Sequence, residues 1–150
     1  MKIQKILFPT DFSTSSDAGL AYASSLARDL GAKLLITHVE EPPVVYGTGE
    51  MYYGIPNPDT DTLTTMLEAV KPTDPAVAFE HHLVTGDPAN EIVRLAQDEN
   101  VDMIIMGTHG RTGLRRMLMG SVTEAVVRRA ACPVLTFKPP HEKQSASTSN

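Results

Sequence analysis

"GDPANEIVRLAQDENVDMIIMG", Gly86 to Gly107, places a helix and a strand back to back. Asp87 offers a side-chain oxygen to the first turn of a helix, Pro88 suits the first helical position, and Glu91 falls in the first turn. Ala89, Ile92, Val93 and Ala96 recur at helical spacing and form the expected apolar face. The helix gives way to "VDMIIMG", Val101 to Gly107, a short run with one charge. Such a run suits a strand covered on both faces.

Strands and helices also alternate on the N-terminal side, without an internal repeat. Ile3 to Phe8 reads as a buried strand that stops at Pro9. "TDFSTSSDAG" supplies helix-start residues, and Ala23, Leu26, Ala27 and Leu30 follow at helical spacing before Gly31 stops the helix. Ala32 to Val39 is a second strand. Glu40 to Thr60 is rich in proline, glycine and tyrosine and reads as a long loop, usually a functional or interface element. A short helix, "DTLTTMLEAVK", ends at Pro72, and "VAFEHHLVT" is a third strand. Beyond Gly107, a helix is expected from about Ser121 to Ala131 and a last strand over "CPVLTFK". Strands alternating with helices give an α/β fold, a doubly wound parallel sheet of five strands with helices on both faces.

The 150 residues suit one domain, and 41% apolar with 21% charged residues is ordinary for a protein with a real core. A net charge of −5 argues against general binding to nucleic acid or anionic membranes. The N-terminal apolar run is too short for a signal peptide, and nothing resembles a membrane span. The single cysteine, Cys132, fits a reducing, cytoplasmic setting and reads as a small buried hydrophobe. Residues 139–150 are polar, follow a Pro-Pro break and are expected to be a disordered tail.

Parallel sheets bind ligands beyond the carboxyl ends of their strands, where the winding reverses. The candidates are therefore Pro9, Thr10, Asp11 and Ser13 after the first strand, His38, Val39 and Glu40 after the second, and Gly107 to Gly113 after the fourth. Gly107, Gly110 and Gly120 follow the spacing G-x2-G-x9-G, with Ser121 directly after. Backbone N–H groups near Gly120, Ser121 and Val122 would open a helix without internal partners, which suits a phosphate. Ser121 and Thr123 add hydroxyls. A Walker loop is excluded because Leu114, not lysine, follows Gly113, and the dinucleotide fingerprint G-x-G-x-x-G is absent.

"ILFPTDFS", "GDPANEIVRLAQDENVDMIIMGTHGRTGLRRMLMGSV" and "ACPVLTF" together resemble the universal stress proteins. The resemblance covers Lys2 to Lys138, the expected nucleotide-binding domain, and is strongest from Gly86 onward. The spaced glycines followed by Ser121 look like the motif of the ATP-binding branch. The resemblance implies strand order 3-2-1-4-5 and a homodimer paired through the last strand. It also implies adenine near Pro9, Asp11 and Val39, with ribose and phosphates along Gly107, Gly110, Gly120, Ser121, Val122 and Thr123. Thr10, Arg111 and Met106 complete the expected set, with ATP as ligand and Mg2+ or Mn2+ bridging its phosphates.

Several residues have plainer readings. Asp11 could simply cap a helix, and Arg115 and Arg116 read as a solvated loop. His109 has no identifiable acidic partner, while His81 and His82 read as structural and, with His38, lack metal-ligand spacing. Three functions compete: an ATP-binding regulatory switch acting on a protein partner, a slow ATPase or nucleotide-using enzyme, and a dimeric interaction module that needs no nucleotide. No general base or arginine finger is identifiable, so fast hydrolysis is not expected.

Overall fold

The structure, a computed structural model, describes residues 1–42, 58–108 and 119–138. Five strands alternate with four helices: β1 Lys5–Pro9, α1 Thr14–Leu30, β2 Lys33–Glu40, α2 Thr60–Ala69, β3 Phe79–Thr85, α3 Pro88–Asp98, β4 Met103–Gly107, α4 Ser121–Arg129 and β5 Val134–Phe137. All neighbouring strands pair in parallel, in the order β3-β2-β1-β4-β5. The expected fold class and strand order are those observed. No described helix is long and apolar enough to cross a membrane.

Successive residues of each central strand feed opposite cores, which is why the strand sequences read as continuous apolar runs. Ile6, Phe8, Leu34, Ile36 and Ile105 face Leu20, Ala23 and Ala27 of α1 and Leu67 of α2. Leu7, Leu35, Ile104 and Met106 face Ala89, Ile92, Leu95 and Ala96 of α3 and Val126 of α4. Burial of a side chain such as Ile92 or Leu95 contributes roughly 1.5–3 kcal/mol. Winding reverses between β1 and β4, and the crossovers to either side lie on opposite faces.

The element boundaries shift for identifiable reasons. β4 begins at Met103 because Val101 closes the end of α3, its N–H donating to the Ala96 carbonyl at 2.9 Å. Asp102 turns its carboxylate onto the Gln4 and Lys5 N–H groups, at 2.8 and 3.0 Å. β3 begins at Phe79, while Val77 packs into the core ahead of it. On α3, Leu95 is buried where the sequence pattern placed Val93, which is only partly buried. Leu30 is 43% exposed, against its place in the apolar pattern. It stands in the last turn of α1, at the end of the sheet where the strands begin. There Gly31 turns the chain with φ 63°, a left-handed conformation that glycine adopts without Cβ strain.

Candidate functional site

A crevice of about 430 Å³ opens at the carboxyl end of the sheet, over the β1–β4 boundary. Pro9, Thr10 and Asp11 line it from β1, Val39 from β2, Met106 and Gly107 from β4, and Gly120, Ser121, Val122 and Thr123 from α4. These are ten of the twelve residues expected at the nucleotide. The other two, Gly110 and Arg111, lie outside the described residues, as does His109. Ser15, Ser16, His38, Glu40, Glu41 and Phe137 also line the crevice.

The β1 wall is stiff. Thr10 is buried, its N–H donates to the Thr37 carbonyl at 2.8 Å, and its own carbonyl lies 2.8 Å from His38 Nδ1. That geometry calls for a proton on Nδ1. Phe12 has φ 63°, an uncommon left-handed position for a bulky residue. It is held there by its N–H bond to Thr10 Oγ1 at 3.1 Å and by its ring, whose centroid is 4.4 Å from that of His38. Asp11 braces the start of α1 and also stands on the crevice wall. Its Oδ1 accepts from the Ser13 N–H at 3.0 Å and the Ser16 hydroxyl at 2.7 Å, organising the entry to α1, while the residue lines the crevice.

The α4 wall differs from every other helix start among the described residues. Ser13, Asp59 and Asp87 each accept a backbone N–H at the N-cap of α1, α2 and α3. The N-cap of α4 is Gly120, which makes no side-chain cap. The first intrahelical bond there runs from the Glu124 N–H to the Gly120 carbonyl at 2.9 Å. Helix geometry then leaves the amides of Ser121, Val122 and Thr123 without intrahelical acceptors, at the positive end of the dipole. Gly120 itself is pinned, its N–H donating to the Thr108 carbonyl at 2.6 Å. The Thr123 hydroxyl, expected from sequence among the donors of the site, has a partner within the protein. It is buried and donates to the Gly107 carbonyl at 2.8 Å, fastening α4 to the end of β4.

A sheet of this order, with its crevice at the reversal and an uncapped fourth helix beside it, matches a known family along nearly its whole length: the profile of the universal stress protein family covers residues 2–138. The chain belongs to the universal stress protein family. Universal stress protein MJ0577 of Methanocaldococcus jannaschii is 32% identical over 153 aligned residues, which cover 90% of this chain and 94% of that protein. Its solved structure superposes with a TM-score of 0.73 at 27% identity, covering 94% of this chain and 99% of that one. Universal stress protein YxiE of Bacillus subtilis is 33% identical over 147 residues, 89% of this chain and 98% of its own. A universal stress protein solved in complex with cAMP has the same fold, with a TM-score of 0.69 at 24% identity over 93% of this chain and 100% of that one.

Two arrangements in this universal stress protein have no forecast in the sequence pattern. Glu40, at the crevice rim, accepts from the Thr60 hydroxyl at 3.0 Å and the Thr85 hydroxyl at 3.4 Å, tying the start of α2 to the end of β3. On the α3 face, Glu80, His82 and Glu99 bring ligand-type atoms within 4.8 Å of one another. That group differs from the histidine set weighed from sequence. Two lysines flank it: Lys33 contacts the Glu80 carboxylate, and Lys5 Nζ donates to the Glu99 carbonyl at 2.7 Å. Lys33, then His82, hold the Glu80 carboxyl below its usual range. Cys132 is half-buried, and burial pushes its thiol up, which disfavours the reactive thiolate.

Proposed function

We propose that this universal stress protein binds ATP in the crevice between β1 and β4 and acts as a nucleotide-dependent dimeric switch in a stress response. The observation that carries this reading is the uncapped start of α4. Three of the four described helices satisfy their first turn with a side chain, and the fourth leaves its amides to the crevice. Oriented amides at a helix start take a phosphate readily. The dipole supplies only about 0.3–1 kcal/mol, so micromolar affinity, about 8 kcal/mol, also requires several direct N–H contacts and a buried base. The crevice, about 430 Å³, falls within the roughly 300–1,000 Å³ usual for small-molecule sites.

In this reading adenine lies against Pro9, Thr10, Asp11 and Val39, and the phosphates against Gly107, Gly110, Arg111 and the Gly120–Thr123 amides, with Met106 beneath. Mg2+ or Mn2+ would ride on the phosphate oxygens and offset their charge. The relative bound to cAMP speaks, at 24% identity, for the fold. The residues of this chain therefore carry the assignment. Dimerisation through the last strand is supported by β5, whose only neighbour among the described strands is β4 and whose Leu135 is 41% exposed. An unpaired strand edge is a ready template for a second copy.

The test is to purify the protein gently, denature it, identify any released nucleotide, and titrate the stripped protein with ATP with and without Mg2+. Retained adenine nucleotide and heat on titration are expected. Their joint absence overturns the proposal. Gly110→Val and Gly120→Val should weaken ATP binding while the far-ultraviolet spectrum is kept. Sedimentation with and without ATP reads the dimer directly.

A further inference from the structure

Phe137 closes β5 with its ring laid on the backbone of α1. A Cβ built at Gly19 would stand 1.9 Å from the tip of that ring, so an alanine there must displace it. Tyr22, on the same helix, places its ring 6.3 Å from that of Phe137 between centroids. The backbone of Phe137 acts on the other side. Its carbonyl accepts the Thr108 N–H at 2.9 Å, and the Thr108 carbonyl accepts the Gly120 N–H at 2.6 Å. Two hydrogen bonds thus connect the residue seated on α1 to the N-cap of α4. β5 is only four residues long and lies at the sheet edge, so its ladder alone is a weak seat. Packing against α1 supplies what the ladder lacks.

We infer that Phe137, seated on Gly19, is a positioning residue that sets the α4 amides relative to the β1 wall, and so tunes the binding of phosphate more than of adenosine. This rests on the ATP reading above. A displaced ring moves the end of β5, the end of β5 carries Thr108, and Thr108 carries Gly120. The adenosine side of the crevice, Pro9 to Asp11 and Val39, hangs instead on the β1–β2 pairing and on the Thr10 contacts.

The test compares Gly19→Ala, Phe137→Leu and the double variant. Calorimetry measures ATP and adenosine, and amide hydrogen exchange at Thr108 and Gly120 is measured without ligand. Gly19→Ala should weaken ATP by about tenfold, the scale of an overpacked contact, with adenosine held within about twofold. Exchange at both amides should accelerate. The double variant should recover most of the ATP affinity and the protection, because the shorter leucine clears the new methyl group. Proportional loss of ATP and adenosine, a double variant no better than Gly19→Ala, or unchanged exchange each overturn the inference. If Gly19→Ala does not fold, Phe137→Leu alone must show the phosphate-selective loss and the faster exchange. If the unaltered protein binds no nucleotide, the ATP reading falls, and the exchange measurement still decides whether the seat positions Gly120.

Discussion

The starts of α3 and α4 make an instructive pair. Each helix follows a parallel strand, lies on the same face of the sheet and is preceded by a glycine. α3 closes its own N-terminus. The Asp87 carboxylate accepts the Asn90 N–H at 3.0 Å, Pro88 brings no N–H at all, and Glu91 folds back over Gly86. Two acidic side chains then complement the dipole. α4 has neither the side-chain cap nor the proline: its N-cap is Gly120, and its first-turn acid, Glu124, pairs with Arg128 at 2.7 Å. One chain thus builds the same element once as a closed structural joint and once with its first amides left open, and the N-cap residue, the N1 proline and the fold-back of Glu91 together separate the two. A helix start in an α/β protein is therefore best read by what its cap leaves undone.

The contrast breaks most sharply at Gly120→Asp. Gly120 has φ −64° and ψ 154°, extended backbone that any residue adopts, so aspartate should cap α4 as Asp87 caps α3. The carboxylate would occupy the amides and repel the phosphates, at several kcal/mol for near-surface charges a few ångströms apart. ATP affinity should fall on the order of 100-fold in calorimetry. Thermal unfolding should shift upward by about 2–4 °C, since a cap contributes about 1 kcal/mol. Retained ATP binding would sink the role given to the open amides. Asp87→Ala is the mirror test. It should lower the melting temperature by about 2–4 °C through loss of one cap and leave ATP affinity unchanged.

The smallest effect belongs to the opposite end of the sheet. The Gln4 N–H, then the Lys5 N–H, hold the Asp102 carboxyl below its usual range. A carboxylate with a depressed folded pKa stabilises fully above its unfolded value, about 3.9, and that share is lost as pH falls through the folded value. Asp102→Asn should therefore flatten the acid limb of stability and leave the neutral-pH crevice untouched. Urea unfolding followed from neutral to acid pH checks this, and an unchanged acid limb would count against the bracket.

Local chemistry made some of this structure legible in sequence. α3 was readable because cap, proline and apolar stripe sit within one turn of each other, and β4 because a strand buried on both faces has no polar alternation. The crevice residues were readable because parallel topology forces ligands to strand ends. Other features depend on distant partners. Val93 and Leu95 differ by two positions on one helix, and it is the packing of α3 against the sheet that buries Leu95. The fastening role of the Thr123 hydroxyl needs the Gly107 carbonyl, sixteen residues away. The Glu80, His82 and Glu99 group needs β3 and α3 folded together, and the seat of Phe137 needs a glycine 118 positions earlier in the chain. Periodicity carries no information about such pairs.

The bond from Gly120 to the Thr108 carbonyl has an evolutionary corollary. It brings the two anchors of residues 109–118 together within the frame itself. Doubling the length of a chain closed between fixed anchors adds only about 0.6 kcal/mol. That passage can be lengthened, trimmed or transplanted between relatives with little penalty to the sheet. The folding problem, solved once by the strands and their helices, then stays solved whatever the length of that passage.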